Sequence, residues 1–498
     1  MFNSVIETLS LKEIKLSGRQ YTWASRRDTP TFEKLDRVLA TVDWEQKFPL
    51  VTVRALSRTE SDHTPLLIDS GEQAHLGNSA LFSFELAWLK EEGFFEMVSK
   101  EWRAHVKGST PLEVWQNKIR HLRRYLRGWA RNRSGIYRKE KERLLGIIDL
   151  LDIKAETDRL TNAESDALRR ANGSLAVLRR EEESKWAQRA KVKHVQEGGN
   201  NTKYFHFIAN GKHRKKKIFQ LEQDEGTIVG EENLRVYNSE YYKNLFGAPV
   251  ENSFSLDENL ISDIPQISRE ENRILTAVFT SDEVLEAISQ MEHNKAPGPD
   301  GFPAEFYKTF WEVIKADLMA MFVQLQNGHL PLYKLNFGVI TLLPKKEGAV
   351  QIQQYRPICL LNVSFKIFMK VGTNRITQIA HKVIRPTQTA FMLGRHILEG
   401  VVVLHETIHE LHWKKMDGVL FKIDFEKAYD KVKWPFLLQT LRKKGFDKKW
   451  CDLIQIFLMG GSVGVRVNDN IGHYFQTRKG LRQGDPLSPI LFKIVAEC

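Results

Sequence analysis

Hydrophobic residues recur along this chain with two different spacings, which separate a long helical stretch from a later mixed region. In residues 112–153 the apolar positions follow helical spacing, and Lys and Arg fill most of the other positions. The pattern breaks near Asn162 and Ala163 and then resumes as far as Trp186. Apolar residues three and four positions apart form one stripe of a helix. The spacing therefore predicts a helical hairpin, two long helices packed through their apolar stripes.

From about residue 261, short apolar runs alternate with helical patterns. Runs of four to eight apolar, β-branched and aromatic residues between turn residues are typical of buried strands. Ser281 precedes Asp282 and Glu283, so it is predicted to cap the N-terminus of a helix. The predicted strands lie at 339–343, 355–361 and 419–423, and the predicted helices at 306–325, 397–411 and 490–496.

Composition and charge narrow the class of protein. The chain has 498 residues, enough for about two to four domains. Its formal net charge of +12 and pI of about 9.3 favour a polyanionic partner, although a generally basic soluble protein would look the same. The three cysteines are far apart and form neither a disulfide framework nor a zinc motif. Without a signal peptide or a long apolar run, we expect an intracellular protein, nuclear or cytoplasmic, neither secreted nor membrane-spanning.

A carboxylate stands at the end of the third predicted strand. Residues 422–432 read KIDFEKAYDKV, so Asp424 directly follows the apolar run. Buried charge is costly unless it is paired or coordinates a metal, so Asp424 is either a metal ligand or a solvated residue at a strand end. A second stretch, GLRQGDPLSPILF at 480–492, is a loop rich in Gly and Pro that opens an apolar helix.

These two stretches, in this order, resemble motifs A and B of the reverse transcriptase palm in the non-LTR (LINE-type) retrotransposons of plants. The NKAPGPDG turn at 294–301 resembles a segment of the same polymerases. The resemblance implies an α+β fold, a partial right-hand polymerase with fingers and an incomplete palm. It would occupy 261–498, with its core at 338–498, after a basic helical linker at 71–260.

By this resemblance, catalysis uses two Mg²⁺ ions, since hard cations prefer oxygen ligands. Asp424 would bind both ions, with help from the Phe425 carbonyl, and Tyr429 would contact the sugar of the dNTP. Further residues would bind the dNTP or the template: Lys345, Arg356, Gln483 and Gly484. Two cations beside strands suit a triphosphate, which is favoured here over the alternative that Lys345 and Arg356 are exposed loop cations.

Residues 1–70 carry a second candidate site. An adjacent Asp and His can form a catalytic pair, but a Ser-Asp-His tripeptide is more often a surface turn. The combination YTW, LDRVL and SDHTPL resembles the C-terminal end of the endonuclease/exonuclease/phosphatase fold. The resemblance implies a catalytic pair of Asp62 and His63, supported by Asp36. The metal-binding half of that fold has no counterpart here, so this β-rich remnant is expected to lack nuclease activity.

The basic linker allows two interpretations. Its cations form either a solvated helix face or a surface that contacts phosphates. Aromatic and cationic residues interleave at 201–217, which favours nucleic-acid binding, although the cluster could also be a nuclear-localisation patch. The candidate nucleic-acid-binding residues are Lys203, Lys212, Arg214, Lys215, Lys216 and Lys217.

The second metal-binding motif of the family is an Ala-Asp-Asp triplet beyond motif B, and no such triplet occurs among these 498 residues. The resemblance therefore implies an RNA-directed DNA polymerase, acting on an RNA template and a DNA primer, in a truncated form without activity. The Cys/His zinc segment that is common in these elements is also expected to be absent. The alternatives are a non-catalytic nucleic-acid-binding fragment and a fragment without cellular function.

Overall fold

The computed structural model describes residues 2–17, 21–25, 31–55, 62–70, 82–157, 161–190, 217–224, 226–248, 265–390, 392, 394–468 and 470–497. The chain forms two compact units. Unit 1 comprises Met1–Val106, Gln116–Asp224 and Pro344–Tyr355, and unit 2 comprises Lys107–Trp115, Glu225–Leu343 and Arg356–Cys498. The predicted boundaries at 70 and 260 differ from this division.

The first part of unit 1 consists of short strands around a small core. Two helices, α1 (Phe2–Thr8) and α2 (Val42–Lys47), accompany two antiparallel pairs and one three-stranded sheet of order β2-β6-β7. Ile14, Val51 and Val53 form the core. The strands are β1 (Lys12–Ile14), β2 (Leu16–Ser17), β3 (Trp23–Ala24), β4 (Phe32–Glu33), β5 (Val38–Ala40), β6 (Thr52–Ala55) and β7 (Leu66–Asp69).

The rest of unit 1 is mainly helical and contains the predicted hairpin. A 3₁₀ helix (Leu86–Lys90) and α3 (Phe94–Arg103) precede α4 (Pro111–Thr157) and α5 (Asn162–Ala190). Leu144 of α4 packs with Ala171 and Leu175 of α5. The Tyr137 hydroxyl donates a hydrogen bond to the Leu178 carbonyl at 2.9 Å. The hairpin prediction is thus confirmed, and strand β8 (Gln220–Gln223) follows it.

Unit 2 is built on a five-stranded sheet of order β11-β10-β12-β13, in which β14 also pairs with β12 and in which β10 and β12 run parallel. The strands of this unit are β9 (Gly226–Val229), β10 (Phe337–Pro344), β11 (Tyr355–Leu361), β12 (Ser462–Val467), β13 (Asn470–Ile471) and β14 (Phe475–Gln476). Its helices are α6 (Glu231–Phe246), α7 (Arg269–Thr276), α8 (Ser281–Ser289), α9 (Ala304–Thr309), α10 (Trp311–Gln326), α11 (Val363–Val383), α12 (Ile397–Trp413), α13 (Ala428–Lys431), α14 (Trp434–Lys443), α15 (Lys448–Leu458) and α16 (Ser488–Ala496).

Helix α6 lies in the predicted linker but packs within unit 2. The backbone N–H of Arg478 donates to the Phe246 carbonyl at 2.7 Å, and the Asn470 side chain donates to Glu231 at 3.4 Å. These contacts explain why the compact unit begins before residue 260. The linker therefore contributes at least one helix to the packing around β12.

Most predicted elements of unit 2 are confirmed. Strands β10 and β11 and helices α12 and α16 cover the predicted runs. The predicted helix at 306–325 is divided at Phe310 into α9 and α10. The cap of α8 is Thr280, one residue before Ser281, because the Thr280 hydroxyl accepts a hydrogen bond from the Glu283 N–H.

The predicted buried strand at 419–423 is wrong. These residues form no strand, and the side chains of Val419, Phe421 and Ile423 are 80%, 82% and 71% exposed. The preceding helix α12 has no buried side chain. A strand forms only where a neighbour pairs with its backbone groups, and within the described part of the chain none of the named strands pairs with this segment.

Among the described helices, none is both long and apolar enough to cross a membrane.

Candidate polymerase site

The loop between β14 and α16 is held against the residues that follow Asp424. The Gly480 N–H donates to the Val432 carbonyl at 2.8 Å, and the Leu481 N–H donates to the Tyr429 carbonyl at 2.7 Å. The indole of Trp434 donates to the Gly480 carbonyl at 2.9 Å. Three hydrogen bonds thus join the two motifs, and we call residues 479–489 the motif B loop.

The same loop is also joined to β11. The Cys359 N–H donates to the Gln483 carbonyl at 2.8 Å. Gly484 has φ of +107°, and a Cβ atom there would lie 2.7 Å from the Cys359 carbonyl oxygen. Only glycine combines this backbone conformation with so close an approach. Gln483 is half-buried and Gly484 is exposed. The turn that they form, where the sequence predicts dNTP or template binding, is therefore fixed to the central sheet of unit 2.

A buried charged group lies beneath this turn. Arg482 is 7% exposed and donates to the Asn336 side-chain oxygen, and its guanidinium lies 3.9 Å from the Asp485 carboxylate. Burial raises the pKa of Asp485, and Arg482 opposes that rise. Burial also lowers the pKa of Lys366, which Cys359 and Asp485 oppose. The sequence predicted no role for Arg482, although it lies inside the motif, and gave no signal at all for Asn336.

Tyr429 is half-buried and stacks on Phe492 of α16, with ring centroids 4.3 Å apart and an interplanar angle of 19°. Burial raises the pKa of its hydroxyl. The ring is therefore held by the helix that follows the motif B loop. This contact and the Leu481 hydrogen bond fix Tyr429 at both its side chain and its backbone.

Asp424 and Phe425 are both exposed, and Phe425 is 71% exposed. Asp424 is a hard oxygen ligand of the kind that Mg²⁺ takes. However, no group of three His, Cys, Asp or Glu side chains that could hold a metal ion occurs among the described residues.

The two predicted triphosphate-binding cations belong to different compact units, so each is described separately. Lys345 of unit 1 is exposed, and its backbone N–H donates to the Gln354 carbonyl at 2.8 Å. Arg356 of unit 2 is exposed on β11, the strand that contains Cys359.

Of the predicted nucleic-acid-binding residues, Lys217 is half-buried with its ammonium 5.5 Å from the Phe219 ring centroid, whereas Lys203, Lys212 and Arg214–Lys216 lie outside the described residues.

The three candidate residues of the predicted nuclease remnant are close together. His63 Nδ1 lies 2.8 Å from an Asp36 carboxylate oxygen, and the Trp23 indole donates to Asp62 at 2.9 Å. The Asp36 N–H donates to the Thr22 hydroxyl at 2.8 Å. The hydrogen bond that the His63 ring donates to the Asp36 carboxylate raises the pKa of His63 above its ordinary value of 6.5.

Replacing Asp36 with Asn is expected to lower the pKa of His63, because the charge that favours the imidazolium is lost. NMR titration of the His63 ring would measure the shift. Since the folded-state pKa is raised, the pair stabilises the fold fully below pH 6.5 and loses this contribution as pH rises through the folded-state pKa. An unchanged pKa in Asp36→Asn, with Asp69→Asn as control, would show that the pair does not form.

Comparison with known protein families identifies the C-terminal region. Residues 343–497 match the family model described as reverse transcriptase (RNA-dependent DNA polymerase). Residues 343–497 are therefore similar to a reverse transcriptase. This region contains the motif B loop, Cys359, Tyr429 and Asp424.

Curated relatives agree with the family match. The chain is 27% identical over 448 residues to the transposon TX1 uncharacterized 149 kDa protein of Xenopus laevis, covering 88% of this chain and 34% of that protein. It is 28% identical over 225 residues to a probable RNA-directed DNA polymerase from transposon X-element of Drosophila melanogaster, covering 43% of this chain and 24% of that protein. The chain thus spans about a third or less of the length of these relatives.

Proposed function

We propose that this chain is part of an RNA-directed DNA polymerase of a non-LTR retrotransposon, which extends a DNA primer with dNTPs on an RNA template. The observation that carries the proposal is the set of hydrogen bonds that join the motif B loop to Tyr429 and Cys359. A polymerase needs its nucleotide-contacting groups held in one place before the nucleotide binds. The motif B loop meets this need within the matched region.

The proposed roles follow from position and chemistry. The turn at Gln483 and Gly484 contacts the nucleotide and the template, and Tyr429 presents a fixed ring to the sugar. Arg356 and Lys345 neutralise the triphosphate. Asp424 is the proposed ligand of Mg²⁺, and a divalent ion would supply charge neutralisation at the triphosphate. Fingers and palm are the proposed partition of residues 261–498, after a basic linker at 71–260 and an endonuclease remnant at 1–70, in an element of the plant type.

The test is equilibrium binding of a dNTP to the full chain on a template–primer duplex, with and without Mg²⁺. We expect Mg²⁺ to tighten dNTP binding, and we expect Asp424→Asn to weaken the Mg²⁺-dependent binding about tenfold, which is roughly 1.4 kcal/mol. Asp417→Asn, which removes an exposed carboxylate in the same segment, is the matched control. Equal dNTP binding by both variants would contradict the role of Asp424, and no Mg²⁺ effect would contradict the polymerase proposal.

Primer extension by the same chain tests its activity separately. Binding two Mg²⁺ ions requires more carboxylate groups than Asp424 alone. We therefore propose that residues 1–498 alone do not extend a primer. Extension that Asp424→Asn abolishes would mean that another acid completes the site, and the proposed inactivity would be wrong while the polymerase function would stand. The second candidate function, nucleic-acid binding without catalysis, is favoured by the basic surface of α4 described next.

A further inference from the structure

We propose that one face of α4 binds the sugar–phosphate backbone of a nucleic-acid duplex. Five arginines form this face, which we call the arginine stripe: Arg120, Arg124, Arg127, Arg131 and Arg138. At about 100° of rotation and 1.5 Å of rise per residue, they lie within about 60° of each other around the helix axis and extend over about 27 Å. Arg127 is half-buried and the others are exposed.

The opposite face of α4 is packed against the protein. Leu122 and Leu126 are fully buried, and Trp129 packs edge-on against Trp88 at 5.6 Å and against Phe94 at 5.1 Å between ring centroids. The stripe therefore has a fixed direction, away from the apolar contacts of unit 1. A helix held in this way presents its cations with little loss of backbone freedom on binding.

The charge along this part of α4 has one sign. No Asp or Glu occurs between Glu113 and Glu140, while Arg123 and Lys139 add two cations beside the stripe. Helix α5 differs, because its cations alternate with acids, as in the Arg169–Asp166 pair at 3.3 Å. An ordinary solvated helix surface mixes both signs, as α5 does. The single sign of the α4 stripe favours a polyanion as its partner.

Two glycines beside the stripe also indicate close approach of a ligand. Gly128 and Gly135 lie inside the helix, where glycine costs about 1 kcal/mol relative to alanine. A Cβ atom at either position would meet no other atom within 4 Å. The packing of the protein does not require them, whereas a backbone that approaches the helix surface closely would.

The chemistry of the face favours a nucleic-acid duplex over a membrane or a single strand. Arginine binds phosphate oxygens through two parallel N–H groups. Binding to a membrane surface would need an apolar helix face free to insert, and that face of α4 is occupied. Binding of single strands uses aromatic rings between the cations, and the nearby exposed ring, Tyr125, lies more than about 90° around the helix from the centre of the stripe.

The test measures how duplex binding by the full chain depends on salt. The logarithm of the binding constant falls as the logarithm of the salt concentration rises. Each lost phosphate contact makes this slope less steep by about 0.9. Replacing Arg124, Arg127 and Arg131 with Gln is therefore expected to make the slope less steep by about 2 to 3. Replacing the same three residues with Lys should keep most of the steepness, because the charge remains. The probes are an RNA–DNA hybrid, an RNA duplex, a DNA duplex and a single-stranded RNA of equal length.

The matched control replaces Arg169, Arg170 and Arg179 of α5 with Gln, which removes the same charge from another exposed helix surface. Far-UV circular dichroism checks that each variant keeps its helices. Equal slopes for the two triple variants would overturn the proposal. So would a loss confined to the single-stranded probe. Since no probe requires nucleotide addition, these results are independent of whether the polymerase proposal holds.

Discussion

Replacing Arg375 with Met is expected to lower the free energy of unfolding of unit 2 by about 3 to 5 kcal/mol, the usual cost of leaving a buried ionic partner alone. Arg375 of α11 is 4% exposed and its guanidinium bonds to both carboxylate oxygens of Glu283, at 2.6 and 2.8 Å. It also lies over the Phe279 ring, 4.0 Å from the centroid.

The remaining donors of Arg375 explain why the effect should be large. They bond to the carbonyls of Leu275 at 2.9 Å, Ala277 at 2.7 Å and Val278 at 3.2 Å. Methionine would leave these carbonyls and the half-buried Glu283 carboxylate without their donor. Lysine keeps the charge but cannot supply five donors in a plane, so Arg375→Lys should also destabilise unit 2.

Urea unfolding measures this effect, with Arg273→Met as the control. Arg273 pairs with Glu270 at 3.0 Å, but both side chains are mostly exposed, so its replacement should cost less than about 1 kcal/mol. Adding Glu283→Leu to Arg375→Met should restore part of the loss, because the uncompensated charge is removed. Equal effects of Arg375→Met and Arg273→Met would show that the buried network contributes little.

The Arg375 network also shows which contacts local sequence patterns cannot predict. The partners of Arg375 lie 92 to 100 residues earlier in the chain, and neither hydrophobic period nor local capping connects such distant positions. By contrast, β10, β11 and the hairpin of α4 and α5 were predicted correctly, because each depends on local spacing of apolar residues. The division of one predicted helix at Phe310 has no breaker residue that would have signalled it.

The strand predicted at 419–423 failed for a related reason. Its residues have the β-branched and aromatic composition of a strand. Such a composition favours a strand only where neighbouring strands form a sheet around the segment. In the described chain, β10, β11 and β12 form a sheet without this segment. Motif recognition singled out Tyr429, Gln483 and Gly484, whereas the side-chain hydrogen bond from Arg482 to Asn336 joins residues 146 positions apart, which no local pattern connects.

Replacing Arg482 with Met is expected to have the second large effect, again about 3 to 5 kcal/mol of unfolding free energy. The substitution would leave the Asp485 carboxyl group 5% exposed and without its guanidinium neighbour, and would remove the donor to Asn336. Adding Asp485→Asn should restore part of this stability, since an amide carries no charge yet still accepts the Leu487 N–H bond, which is 2.9 Å long. Arg478→Met, on an exposed residue beside the same loop, is the control.

The consequence for the site can be measured separately from stability. Because Arg482 supports the turn whose Gln483 carbonyl accepts the Cys359 N–H, that amide should exchange with deuterium faster in Arg482→Met than in Arg478→Met under fully folding conditions. Given the proposed polymerase function, dNTP binding should weaken in the same variant. Slow exchange at Cys359 with intact dNTP binding would mean that the motif B loop keeps its position without the buried arginine, and that its backbone hydrogen bonds and the conformation of Gly484 are enough to hold it.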